Sequence, residues 1–264
     1  MSTHDDVVSI AVDGETIQGT VVAPSMLVPG VLFVHGWGGS QQQYIARAHD
    51  VAALGCVCLT FDLRGHVDTR SSYETVSRED NLRDVTAAYE LLARHPGVDP
   101  TRIAVVGSSY GGYLAAILCA TVSVKWLALR APALYRNADW RLPKAQLSAH
   151  QGLGAYRLEV VRPADSRALQ ACAQFLGDML IVESEQDLIV PHQVIANYRA
   201  ACSHARSVTY RVIAGADHGL CTEPAQAAYS ELLVSWLKEM IAGRTPAKDV
   251  APVPPKEAAI AEHA

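Results

Sequence analysis

Six short apolar runs recur along the 264-residue chain, most of them separated by enough residues for one helix, and this rhythm restricts the fold more than any other feature. They are VLFVHG (31–36), CVCLTFD (56–62), RIAVVG (102–107), KWLALRA (125–131), MLIVES (179–184) and SVTYRVI (207–213). Each is nearly continuous in apolar residues rather than alternating, which is the pattern of strands covered on both faces. Helical periodicity fills the gaps at about 42–54, 110–121, 192–205 and 223–241, and again from Ser77. There Ser77 and Asp80 stand three apart as a capping box ahead of Leu82, Val85, Tyr89 and Leu92, and His95-Pro96-Gly97 stops the helix. Alternating strands and helices predict an α/β fold, a mostly parallel sheet with helices on both faces.

Two further runs, 7–12 and 16–23, flank Asp13-Gly14, a strong hairpin signal, so an eight-stranded sheet opening with an antiparallel pair is expected. Between 132 and about 170 the alternation fails, and this stretch is expected to be a short cap insertion packed over one edge of the sheet. The segment 244–264 is rich in Pro and Ala and is expected to be a disordered tail, leaving 1–243 as one domain. With 22 Lys+Arg against 27 Asp+Glu and no basic run, nucleic acid is excluded as a partner. No apolar stretch reaches the roughly 18 residues of a membrane span, and the acidic start MSTHDDVVSI is unlike a secretory signal, so a cytoplasmic protein is expected. Six cysteines without a CxxC pair read as small buried hydrophobes.

The stretch VVGSSYGGYLAA (105–116) joins an apolar run to a helix-compatible one through a cluster of glycines. Counting outward from Ser109 gives Gly107-Ser108-Ser109-Tyr110-Gly111, the G-x-S-x-G pattern of a sharp strand-to-helix turn that exposes a serine hydroxyl. A serine at neutral pH needs a base and a group that orients the base, and in this topology both follow it, acid first. His218, in VIAGADHGL after the last apolar run, is the candidate base. Asp187, in ESEQDLIVP after the preceding run, is the candidate acid, with Glu185 in reserve. All three fall where parallel strands end on one side of a sheet. The loop His35-Gly36-Trp37-Gly38-Gly39 has the composition for close backbone approach to a ligand, so the Trp37 and Tyr110 N–H groups are the expected oxyanion donors. His35 itself reads as a structural hydrogen-bonding residue. Tyr135, Trp140 and Tyr156 in the insertion are candidates to line an acyl pocket.

Taken together, HGWGG, FDLRGH, GSSYGGY, ESEQDLIVP and GADHG resemble the α/β-hydrolase superfamily in content and order, over about 7–241. GSSYGGY is similar to the nucleophile turn of prolyl-oligopeptidase-type peptidases and of dienelactone-hydrolase-like and cinnamoyl or feruloyl esterases. Dienelactone hydrolases proper use cysteine where Ser109 stands, and Val67 occupies the place of the usual glycine after RGH. The large N-terminal propeller of prolyl oligopeptidases has no counterpart in the roughly thirty residues ahead of VLFVHG. The resemblance implies an α/β-hydrolase fold and hydrolysis of a small-molecule carboxylic ester of small to medium acyl chain, without metal or organic cofactor. Its alternatives are an aminopeptidase or acyl-peptide amidase and a non-catalytic binding module on the same fold.

Overall fold

The computed structural model describes residues 3–24, 28–147 and 151–243; the tail expected to be disordered, 244–264, lies outside them. Strands β1 (Thr3–Val12) and β2 (Glu15–Pro24) pair antiparallel, with Val12 opposite Glu15. Asp13 and Gly14 have φ of 49° and 80°, the two positive values that a tight two-residue hairpin turn needs to match the strand twist. Six more strands follow: β3 (Val28–Val34), β4 (Val57–Phe61), β5 (Val98–Ser108), β6 (Trp126–Arg130), β7 (Asp178–Ser184) and β8 (Ser207–Ile213). The sheet has eight strands in the order β1-β2-β4-β3-β5-β6-β7-β8; β2 meets β4 antiparallel, and β4 through β8 are parallel. The α/β-hydrolase expectation therefore holds at the level of strands and their order.

Helices α1 (Gln42–Ala52) and α7 (Glu223–Ile241) cover one face, where Tyr44, Val51, Leu233 and Trp236 share a core with Val31, Phe33 and Val106. The other face carries α2 (Arg78–Ala93), α3 (Tyr110–Leu118), α5 (Arg167–Gln174) and α6 (His192–Ala201); α4 (Leu153–Tyr156) is a single turn between α3 and α5. The capping box at α2 is complete. The Asp80 N–H donates to Ser77 Oγ at 3.2 Å, and the Ser77 N–H donates to the Asp80 carboxylate at 2.8 Å. Such a cap is worth about 1 kcal/mol.

The 132–170 stretch is irregular as expected, but α5 starts inside it at Arg167, where Ser166 accepts the Leu169 N–H as a cap. Leu134, Leu147, Leu153 and Val161 are buried in the same core as the apolar residues of α2, α3 and α6. Arg78 at the head of α2 donates to the carbonyls of Arg136 and Ala138, and Asn197 of α6 donates to that of Glu159. The insertion is thus tied by hydrogen bonds to the head of α2 and to α6. All six cysteines are free thiols; Cys221 is exposed and Cys119 half-buried, so the reading of every cysteine as a buried hydrophobe holds for four. Among the described residues no helix is long and apolar enough to cross a membrane.

Because β3 to β8 run parallel, the loops that follow β3, β5, β6, β7 and β8 all emerge along one edge. Strand β5 lies between β3 and β6, which puts its exit at the middle of that edge.

Candidate active site

Ser109 sits at the β5–α3 junction with φ 52° and ψ −117°, a backbone conformation that L-residues avoid. The surroundings impose it. The Ser109 N–H donates to the Arg130 carbonyl at 2.9 Å, and its own carbonyl accepts the Tyr113 and Ala133 N–H groups at 3.1 and 2.9 Å. The flanking glycines follow from close approach: a Cβ on Gly111 would fall 2.2 Å from the Val34 carbonyl oxygen and 2.4 Å from that of His35. Only glycine lets α3 start this close to the end of β3.

His218 lies on the β8–α7 loop, half-buried, with Nε2 2.8 Å from Ser109 Oγ and Nδ1 2.6 Å from Asp187 Oδ2. The other carboxylate oxygen of Asp187 accepts the Ile189 and Val190 N–H groups, each at 2.8 Å. Burial pushes the Asp187 carboxyl up, yet the hydrogen bonds from His218 and the two amides, together with the nearby imidazole, outweigh it and hold the group below the usual carboxylate range. A carboxylate anchored at three points orients the ring with Nδ1–H toward Asp187 and leaves Nε2 free to accept a proton from Ser109. Glu185, the reserve acid, instead accepts the Gly215 N–H at 2.7 Å, and Asp217 accepts that of Cys221 at 2.9 Å.

Two neutral histidines tie the loop after β3 to the loop after β4. His35 Nε2 accepts the Leu63 N–H at 3.0 Å while its Nδ1 donates to the Gly36 carbonyl at 2.8 Å. Burial lowers its pKa to about 3, so it remains uncharged at neutral pH. His66, also lowered by burial, accepts the Gly38 N–H at 2.9 Å and donates to the Leu63 carbonyl at 3.2 Å. The Trp37 indole donates to the Tyr73 hydroxyl at 2.9 Å, while its backbone N–H has no acceptor among the described residues. The Tyr110 N–H opens α3, ahead of its first intrahelical bond.

The three aromatics proposed for an acyl pocket lie elsewhere. Tyr135 is buried against Tyr110 and Tyr113, with ring centroids 5.8 and 4.8 Å away. Trp140 packs under the guanidinium groups of Arg78 and Arg167, and Tyr156 is buried under Arg136. None lines the cavity of about 290 Å³ that opens at Ser109 and His218; that cavity is bounded by Trp37, Arg47, Arg130 and Tyr229 among others. Packing and stacking on arginine absorbed these rings, a use that composition does not distinguish from ligand binding.

Three basic residues near the site escaped the sequence reading. Arg130 closes the apolar run KWLALRA, and an arginine at the carboxyl end of a buried strand was a usable signal. Arg47 and Lys144 carried none. Lys144 is 5% exposed, with Nζ 4.6, 5.0 and 5.2 Å from the ring centroids of Trp37, Tyr110 and Tyr135. Burial, with the Arg157 and Arg78 charges adding to it, lowers its pKa to about 7.

Residues 31–232 match the model of the alpha/beta hydrolase family. The chain is 30% identical over 124 residues to the polyketide transferase ATR5 of Stachybotrys chlorohalonatus, a match that covers 45% of this chain and 40% of that relative's length. Est1E from Butyrivibrio proteoclasticus, solved with ferulic acid bound, shares the fold at TM-score 0.68 and 17% identity, over 89% of this chain and 99% of that one. An acylaminoacyl peptidase from Pyrococcus horikoshii shares it at TM-score 0.71 and 15% identity, over 94% of this chain and 43% of that one.

Proposed function

Because the chain belongs to the alpha/beta hydrolase family, we propose that it is a serine hydrolase cleaving carboxylic esters of small to medium acyl groups. The observation that carries this reading is the unbroken line of hydrogen bonds from Asp187 through His218 to Ser109, with the serine in a strained turn at a helix start. His218 accepts the proton as Ser109 Oγ attacks the ester carbonyl, and the Trp37 and Tyr110 amides receive the oxyanion. His218 then protonates the departing alkoxide. A water molecule, deprotonated by the same nitrogen, attacks the acyl-enzyme and releases the acid and Ser109. Asp187 holds the tautomer throughout and stabilises the imidazolium.

Labelling with a fluorophosphonate tests the assignment, since only an activated serine reacts quickly. Wild type labels and Ser109→Ala does not; equal labelling of the two would remove Ser109 from its role. Amide hydrolysis is the second reading, favoured by GSSYGGY and by the fold shared with the acylaminoacyl peptidase. A panel of 4-nitrophenyl esters beside aminoacyl nitroanilides separates the two, and faster turnover of the anilides overturns the ester assignment.

A further inference from the structure

The cavity at Ser109 is built for charge. Arg47 reaches it from α1 and Arg130 from the end of β6, and no Asp or Glu lines it. Neither arginine forms a salt bridge among the described residues, whereas Arg64, Arg83, Arg136 and Arg206 each hold a carboxylate. Both guanidinium groups flank the ring of Tyr229, at 5.0 Å for Arg47 and 5.9 Å for Arg130.

Their donors are only partly used. Arg130 is 7% exposed; its Nη1 donates to the His218 carbonyl at 2.8 Å and to Ser184 Oγ at 3.4 Å, and its Nε to Ser108 Oγ at 3.3 Å, while Nη2 donates to nothing among the described residues. Arg47 donates through Nη1 to the Gln43 carbonyl at 2.8 Å, and its Nε is buried without a partner. The buried Tyr229 hydroxyl likewise makes no well-formed hydrogen bond. Two cations at one cavity, without a carboxylate beside them and with donors to spare, are placed to receive an anion.

We propose that this cavity binds a carboxylate carried by the substrate, so that the ester hydrolysed at Ser109 is an anionic one. The inference rests on the ester-hydrolase reading and specifies its substrate class. Guanidinium groups pair with carboxylates through two parallel hydrogen bonds, and a volume of about 290 Å³ suits a short carboxylate-bearing arm rather than a long acyl chain. Arg130 sits in register with Ser108, one residue before Ser109, so a carboxylate held there stays attached to the carbonyl under attack through only a few bonds.

Two matched pairs of esters test the charge and say which side of the ester carries it. Mono-4-nitrophenyl adipate against 4-nitrophenyl hexanoate reads the acyl side; 4-acetoxybenzoate against 4-acetoxybenzamide reads the alcohol side. The expected result is kcat/KM at least about tenfold higher for the anionic member of one pair, with the ratio falling toward one in Arg47→Met and largely kept in Arg47→Lys. Raising the ionic strength narrows the ratio. Arg47 is chosen because it touches none of Ser109, Asp187 and His218. If both members of both pairs turn over equally, the anion assignment is overturned and the ester-hydrolase reading stands. If no ester turns over, the reading itself fails, and titration calorimetry with adipate and 4-hydroxybenzoate still decides the cavity. Binding that weakens in Arg47→Met supports it, and absence of binding up to about 10 mM ends it.

Discussion

Val67 takes a φ of 44° on a β-branched, exposed side chain, at the place where resembling sequences carry glycine. A left-handed backbone costs an L-residue about 1–2 kcal/mol, and a β-branched one at least that much. Val67→Gly relieves the clash and adds back some chain entropy in the unfolded state, so a net stabilisation of about 1 kcal/mol is expected in urea unfolding. Asp187 presents the opposite case, a residue whose environment serves its charge. Asp187→Asn removes the acceptor that fixes the His218 tautomer, and kcat for ester hydrolysis is expected to fall by about 10⁴. Its folded-state pKa is depressed, so its contribution to stability is present above the ordinary carboxylate range and is lost as pH falls through the folded value. Acid titrations of stability are therefore expected to be shallower at low pH in Asp187→Asn than in wild type.

At the scale of elements, the site depends on how closely α3 approaches the end of β3. Gly111→Ala places a Cβ within 2.4 Å of two carbonyl oxygens, and neither backbone segment can retreat, being hydrogen-bonded into the sheet and the helix. A loss of at least about 3 kcal/mol is expected in chemical unfolding, together with loss of fluorophosphonate labelling. The elements themselves were legible in advance wherever a period or a turn dipeptide marks them. The Asp13-Gly14 hairpin and the Ser77–Asp80 cap form where their chemistry predicts, and α7 occupies the residues whose periodicity announced it. The 132–170 segment was not legible. Its backbone closes in single turns, such as the Gln146 N–H on the Pro143 carbonyl and the Ser166 N–H on the Pro163 carbonyl, and side chains such as Gln151, donating to the Ala138 carbonyl at 2.8 Å, add bonds between them; pieces this short leave no period.

Across the whole molecule, charge burial links the site to stability. Lys144 is charged in the unfolded chain up to about pH 10.5, but in the folded protein its pKa is about 7. The unfolded state thus binds more protons between those values, and stability rises with pH through that window; below about pH 7 both states are protonated and the full burial cost remains. The Trp37, Tyr110 and Tyr135 ring faces return part of that cost. Lys144→Met is expected to stabilise the protein by roughly 2–3 kcal/mol near pH 6, with the gain shrinking as pH approaches 10, as measured by Tm and urea midpoints.

The alternation of buried strands and helices, the hairpin, the helix cap and the serine turn are written in side chains a few positions apart, because period, capping and φ preference act over that range. Where the three insertion aromatics go and the gathering of Arg47 and Arg130 around Tyr229 were decided only by the folded chain. Those outcomes depend on strand order and register, which bring together residues that have no local reason to interact.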